Sequence, residues 1–235
     1  MHIDETTFPI VSGWEGELMR ATGMLAVPGE RLPALSIGKP AWWSDRTLMG
    51  AGWTPPAGGR QYGLARFAFS LRPAERQAVH YVDMVVYLHA KGDGLRPTIL
   101  DMIPKAAKEE QTGILTVGIG PDFKFTAPDN AGVTLSLRQS IMTATADGVG
   151  ENAAHWAFAV RSASPLMGSQ IMYAIVELMP GVEAARASLQ LVAEIETPYG
   201  PVRGLLPSSQ RNALSWMLEG EVIINSNEQP NQRKP

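Results

Sequence analysis

Four histidines are the residues with which this chain could bind a metal ion or transfer protons. His2, His80, His89 and His155 stand far apart in the sequence. None belongs to a His-x-His or His-Glu-x-x-His pattern, which would bring two imidazoles to one metal ion. We therefore expect no metal site and no cofactor.

Asp83 and His89 are the best-matched acid–base pair, because a carboxylate can orient an imidazole that acts as a general base. Both lie in the run Val79–His89, whose Val and Tyr content favours a strand, and both fall on one face of it. Six strand residues span about 20 Å, which is too far for a direct hydrogen bond. The two residues are a minor polar candidate, and the polar side of a sheet is the simpler interpretation.

Nucleophilic catalysis has little support in the sequence. The chain contains no cysteine, which excludes thiolate chemistry, disulfides and cysteine-bound zinc. Ser164, Ser169 and Ser208 lack the Gly-x-Ser-x-Gly surroundings of a nucleophile elbow. The sequence leans against an enzyme, and a hydrolase with a site assembled from scattered residues is kept as a further alternative.

Three tryptophans stand among prolines and glycines near the N-terminus: Trp42, Trp43 and Trp53. Adjacent residues of an extended backbone point in opposite directions, so Trp42 and Trp43 cannot both enter one small core. An exposed tryptophan can stack on a sugar ring or anchor a protein interface. The three are the candidate ligand- or partner-binding residues, and the simpler alternative is that this region buries them against the main body.

The elements that must position these residues are strands. From Leu64 to Glu196, runs of alternating apolar and polar residues are separated by turns, most clearly at Leu189–Glu196. About eight or more such runs, without helical patterns between them, predict an all-β antiparallel β-sandwich. The region before them is expected to be an irregular N-terminal arm rich in Trp, Pro and Gly, with a few short strands.

One short helix is expected near the C-terminus, because Ser208 or Ser209 can cap it and Gly220 can end it. A possible edge strand follows the helix, and the last residues are polar enough to be flexible. The predicted organisation is an irregular arm packed on the body over 1–62, a β-sandwich over 63–206, the helix and edge strand over 207–225, and a flexible tail over 226–235.

Charge and hydropathy exclude some partners. The net charge of −3 provides no basic surface for a phosphate backbone, so we expect no nucleic-acid binding. The N-terminus has no signal-peptide pattern, and no apolar run approaches the roughly 20 residues that span a bilayer. The expectation is a soluble, cytoplasmic protein of bacterial or phage origin without a constitutive membrane span.

The main functional interpretation is a non-enzymatic binding or assembly protein that presents a β-sandwich surface to protein partners or to its own copies. The first alternative is a small-ligand or glycan-binding sandwich that uses Trp42, Trp43 or Trp53. A further alternative is a membrane-active β protein. In that alternative, amphipathic strands such as Val79–His89 and Gln170–Met179 line a membrane barrel after a change of state.

Overall fold

The protein is an all-β structure of three sheets stacked in layers, and strand pairing is antiparallel except where the first strand joins in parallel. Among the described residues it contains eighteen strands and one α-helix, α1 (Asp45–Met49). No helix in that part of the chain is long and apolar enough to cross a membrane. The computed structural model describes residues 2–4, 10–23, 27–50, 52–91, 95–107, 113–139, 143–160, 165–182, 184–207 and 214–218.

Sheet 1 has one face against the core and one face toward solvent. In its longest strand, buried side chains alternate with exposed or half-buried ones, as a sheet covered on one side requires. Its strands, in spatial order, are β3 (Met19–Arg20), β17 (Gly200–Leu205), β16 (Ala185–Thr197), β7 (Ala78–Ala90), β14 (Ala153–Ala159), β13 (Thr143–Asp147) and β9 (Ala106–Ala107), with β18 (Ser215–Leu218) beside β16.

Sheet 2 is covered on both faces. Its central strand is buried without interruption from Tyr62 to Phe69, in contrast to the alternation in sheet 1. A strand between two cores needs apolar residues on both sides. Its strands are β2 (Ser12–Glu17), β4 (Ala34–Gly38), β6 (Gln61–Arg72), β15 (Gly168–Leu178) and β8 (Thr98–Ile103), with β5 (Ala41–Ser44) also paired to β6.

Sheet 3 is the smallest layer and lies against the side of sheet 2 that faces away from sheet 1. A single turn of 3-10 helix, Pro128–Asn130, comes just before the strand Val133–Gln139 in the chain. The strands are β1 (His2–Asp4), β12 (Val133–Gln139), β10 (Gly113–Ile119) and β11 (Phe125–Thr126).

Two separate hydrophobic cores result from this layering. The first lies between sheets 1 and 2 and includes Phe67 and Trp156. The second lies between sheets 2 and 3 and includes Leu64, Tyr173 and Leu135. Each large apolar side chain that is fully buried contributes roughly 1.5–3 kcal/mol, so sheet 3 is held to sheet 2 mainly by hydrophobic contact.

The structure differs from the sequence-based expectation at both ends of the chain. The N-terminal region supplies the short strands β1 to β5, the start of β6 and the helix α1, and the sequence did not predict this helix. Ser215–Leu218, expected in a helix, form a strand beside Ala185–Ser188. There β18 satisfies backbone groups of β16 that β17 does not reach, since β17 pairs only from Val192 onward. The expected helix caps, edge strand and tail lie outside the described residues, and the domain boundaries stay a prediction.

Candidate functional site

The two minor polar candidates, Asp83 and His89, contact different partners. Asp83 Oδ1 contacts Nε2 of His155, which lies on the neighbouring strand β14. His89 Nε2 lies 3.0 Å from Ser188 Oγ. Ser188 belongs to β16, which pairs with the edge of β7 opposite to β14. Sequence reasoning missed His155 because a diagonal cross-strand contact depends on register, which the alternation of side chains does not reveal.

The outer face of sheet 1 carries polar and titratable side chains. Burial raises the pKa of the Tyr81 hydroxyl, and the nearby Asp83 and Glu194 raise that pKa further. Among the described residues, no three His, Asp or Glu side chains converge as ligands for a metal ion. A half-exposed Asp–His contact on this face fits a solvated surface pair better than an acid–base centre.

Trp42 and Trp43 lie on opposite faces of β5 and enter different cores. Trp42 is 8% exposed and packs in the first core, whereas Trp43 is fully buried in the second. The Trp42 ring lies so close to Gly63 that a Cβ there would stand 2.0 Å from it. Sheet 2 has a core on each side, so neither ring needs the surface that the sequence suggested for one of them. Their ligand-binding role stays a prediction, with both rings enclosed in this conformation.

Trp53 has a different role, because it contacts the loop that joins β10 to β12. Its Nε1 donates a hydrogen bond of 3.0 Å to the Pro121 carbonyl. Its ring centroid lies 5.3 Å from that of Phe123 and 5.8 Å from that of Tyr62, and these two rings lie 5.5 Å apart. We call Trp53, Tyr62 and Phe123 the aromatic clasp. It joins the N-terminal region, sheet 2 and the tip of sheet 3.

A buried carboxylate fastens the same loop at a second point. Asp101, on β8, accepts backbone hydrogen bonds from Met102 at 2.9 Å and from Phe125 at 3.0 Å. Lys105 Nζ lies 2.7 Å from the same carboxylate and balances its charge. Because Phe125 belongs to β11, this contact ties sheet 3 to the edge of sheet 2.

Strands β10 and β12 form an amphipathic pair. On one face Val117 lies opposite Leu135, and Ile119 lies opposite Val133. Ile119, Val133 and Leu135 are fully buried in the second core. On the other face Thr116 is exposed and lies opposite half-buried Ser136, so small and polar residues face away from sheet 2.

The same two chain segments also pair in sheet 1, at β9 and β13. Ala107 lies opposite Ala144 there, and Gly113 lies opposite Gln139 in sheet 3. One segment advances six residues from Ala107 to Gly113, whereas the other spans five residues from Gln139 to Ala144. The pairing register of β9 with β13 therefore differs by one residue from that of β10 with β12. One β-bulge accounts for such a difference. Strands β9, β10, β12 and β13, which we call the long hairpin, therefore have the pairing of one continuous hairpin shared between two sheets.

The pairing of β13 in sheet 1 determines the direction in which the long hairpin leaves that sheet. Through the intervening strand β14, Thr143 of β13 lies level with Tyr81 of β7, and Asp147 lies level with Val85. Since β7 begins at Ala78, the hairpin leaves sheet 1 toward the end where β7 begins and β16 ends. We call this the lower end of the sandwich.

The lower end exposes large apolar side chains. Met167, before β15, is 60% exposed, and Tyr199, in the turn between β16 and β17, is 69% exposed. Arg72 and Arg76, at the turn between β6 and β7, are exposed at the same end. Aromatic, apolar and basic side chains together suit the boundary between water and lipid headgroups.

Alkaline pH should weaken the clasp through Tyr62. Burial raises the pKa of its hydroxyl above 10.0, and hydrogen bonding to Glu177 raises it further. The stabilisation from this group is fully present below the unfolded pKa, near 10.0, and is lost as the pH rises through the folded pKa. We expect the free energy of unfolding in urea to fall as the pH rises above about 10, and to fall less in Tyr62→Phe. An equal fall in both proteins would contradict this role for Tyr62.

The known proteins to which this chain is similar are solved structures. No protein-family model matches the chain, and no curated protein matches it. One similar solved structure is described as a pore-forming protein, with 10% identity and a TM-score of 0.42, covering 86% of this chain and 93% of that one. Clostridium perfringens delta-toxin has 11% identity and a TM-score of 0.40, covering 69% and 80%. The Clostridium perfringens NetB toxin in its membrane-inserted form has 8% identity and a TM-score of 0.35, covering 87% and 94%.

Two sequence-based interpretations are corrected by these comparisons. The matched structures are described as a pore-forming protein and as toxins, one of them inserted in a membrane. The prediction of a non-enzymatic binding or assembly protein is therefore wrong, and so is the prediction of a cytoplasmic location.

Proposed function

We propose that the protein perforates membranes by releasing the long hairpin from sheet 2 and inserting it into a bilayer. The observation that carries this proposal is that the pairing registers of its two parts differ by only one residue. Because Ala107–Ala144 and Gly113–Gln139 fit one ladder with a single bulge, the hairpin can straighten without exchanging its strand partners. The packing against sheet 2, the pairing with β1 and the two hydrogen bonds that Trp53 and Asp101 make with the hairpin tip have to be given up.

The length of the hairpin suits a bilayer. One arm runs from Ala106 to Ile119 and the other from Val133 to Thr145. A tilted strand of about 9–11 residues crosses the hydrocarbon region, so both arms are long enough with residues to spare. We assign the crossing to these arms rather than to β7 and β15, which lie inside sheets 1 and 2 with paired strands on both sides.

The alternation of the hairpin also suits a bilayer. The face that now packs on sheet 2, with Val117, Ile119 and Leu135, would meet lipid instead. The face with Thr116 and Ser136 would line a water-filled channel, in the apolar-out and polar-in pattern of membrane strands. Unpaired strand edges are too costly in hydrocarbon, so hairpins from several copies must close into one continuous sheet.

The root of the hairpin sets the orientation of the molecule. A straightened hairpin projects beyond the lower end, where Met167 and Tyr199 are exposed. We infer that this end rests on the headgroups before insertion, so that the hairpin enters the lipid directly below its root.

The experiment is an environmental scan of the hairpin, which the cysteine-free sequence makes simple. Single cysteines at positions 115 to 119 and 133 to 137 carry a polarity-sensitive dye. The protein is added to liposomes that contain a self-quenched fluorophore, so that leakage and dye environment are measured together. We expect leakage, together with a blue-shifted emission at every second position, at 115, 117 and 119 and at 133, 135 and 137.

If the dye emission does not alternate with a period of two residues in the presence of liposomes, the proposed insertion is overturned, even if leakage occurs. Absence of leakage across neutral, anionic and sterol-containing liposomes would overturn the proposed function itself. Cysteines at Gln190 and Ser188, on the outer face of sheet 1, serve as controls and should keep a water-like emission.

A further inference from the structure

A cleft of about 710 Å³ is lined in part by Trp53 of the aromatic clasp. Its lining comes from α1, the loop after α1 and the start of β6, and a cleft of this volume suits a small molecule. Of the residues that the structure describes, none of the long hairpin lines it. The lining residues are Ser44, Asp45, Arg46, Gly50, Trp53, Pro55, Arg60 and Gln61.

The charges of the cleft largely cancel. Arg60 pairs with the buried Glu177 carboxylate at 2.7 Å, which holds the pKa of the guanidinium above its ordinary value. The Asp45 carboxylate offsets the charge of Arg46, next to it in the chain. A polyanion such as a nucleotide would find little net positive charge here, which disfavours phosphate ligands.

What the cleft does offer is an aromatic ring beside planar hydrogen-bonding groups. Trp53 is half-buried, whereas Arg46 and Gln61 are exposed. The apolar face of a sugar ring stacks on tryptophan, and its hydroxyls suit guanidinium, amide and carboxylate partners. We propose that this cleft binds a carbohydrate ring, stacked on Trp53 and hydrogen-bonded by Arg46 and Gln61.

Binding in this cleft is coupled to the hairpin through Trp53. The ring that would stack on the sugar is held in position by its contacts with Pro121 and Phe123 at the hairpin tip. A ligand that needs Trp53 in this position binds the closed form better than the released form, and therefore favours the closed form. The sugar is thus an inhibitor of hairpin release, a statement that rests on the proposed function, whereas sugar binding itself does not.

Binding is tested without lipid. Methyl glycosides of glucose, galactose, mannose and N-acetylglucosamine are titrated into the full-length protein by calorimetry, with saturation-transfer NMR as a second readout. We expect at least one to bind, and Arg46→Ala and Gln61→Ala each to weaken that binding by about tenfold, the loss of a charge-assisted or neutral hydrogen bond. Lys124→Ala is the matched control, because Lys124 is exposed near the tip but does not line the cleft.

The outcomes separate the two parts of the proposal. If no glycoside binds, or if Arg46→Ala and Gln61→Ala bind as tightly as the unaltered protein, the carbohydrate site is wrong. If a glycoside binds and slows liposome leakage by the unaltered protein but not by Arg46→Ala, both the site and its coupling are supported. Binding with unchanged leakage overturns the coupling alone, and a protein that never leaks overturns the proposed function while the binding result stands.

Discussion

Tying the hairpin tip to the N-terminal helix should abolish leakage. A Cβ at Gly132, just before β12, would lie 3.3 Å from Sδ of Met49 in α1. Cysteines at these two positions are therefore within reach of a short crosslinker that has two thiol-reactive ends and can be cleaved by reduction. We expect the crosslinked Met49→Cys/Gly132→Cys protein to release no more dye than liposomes alone, since the closed state cannot open. Reduction of the crosslink should restore leakage.

The control crosslink lies within the hairpin. Thr116 and Ser136 are directly opposite each other on β10 and β12, so a crosslink in Thr116→Cys/Ser136→Cys joins the two arms without joining them to the body. We expect this protein to leak as well as the uncrosslinked one, because the arms stay paired in the proposed inserted state. Leakage by the crosslinked Met49→Cys/Gly132→Cys protein would show that the hairpin does not have to leave sheet 2.

A lysine should affect liposome leakage differently at two adjacent positions of β10. Val117 belongs to the face that packs in the second core, and Thr116 belongs to the exposed face. A lysine on the lipid side of a membrane strand costs about 2–4 kcal/mol near the bilayer centre, which corresponds to more than about tenfold in rate. We expect Val117→Lys to lose leakage by at least about that factor, and Thr116→Lys to keep it with a shift toward anion selectivity.

Folding has to be separated from insertion in this comparison. Val117 is only half-buried, so Val117→Lys should keep a far-ultraviolet circular dichroism spectrum like that of the unaltered protein. Val117→Thr provides a milder change on the same face and should lose less leakage than Val117→Lys. Equal leakage by Val117→Lys and Thr116→Lys would remove the assignment of the two faces.

The fold class could be predicted from the sequence because the alternation of apolar and polar residues is a local property. In β16, every second residue from Ala185 to Ile195 is buried, as the printed alternation suggests. The same rule failed for Ser215–Leu218, where a helical stripe and a strand are both compatible with four residues. The open edge of β16 decided that case in favour of a strand.

The candidate site could be predicted only in fragments. The sequence selected Trp53 for its residue type, but its partners Pro121 and Phe123 lie about 70 positions away in the chain and carry no local signal. The runs that became β10 and β12 were recognised as strands, yet nothing in them distinguishes a permanent strand from a hairpin that can be released.

By itself, the sequence determined that this chain folds as sheets with turns, without cysteine chemistry and without a basic surface. Only the tertiary structure decided that sheet 2 carries a core on each face, that Trp42 and Trp43 enter different cores, and that the strands of the long hairpin are divided between two sheets. The physical reason is that periodicity shows which side chains share a face of a strand. What that face packs against depends on contacts between residues distant in the chain, and hence on the arrangement of the layers.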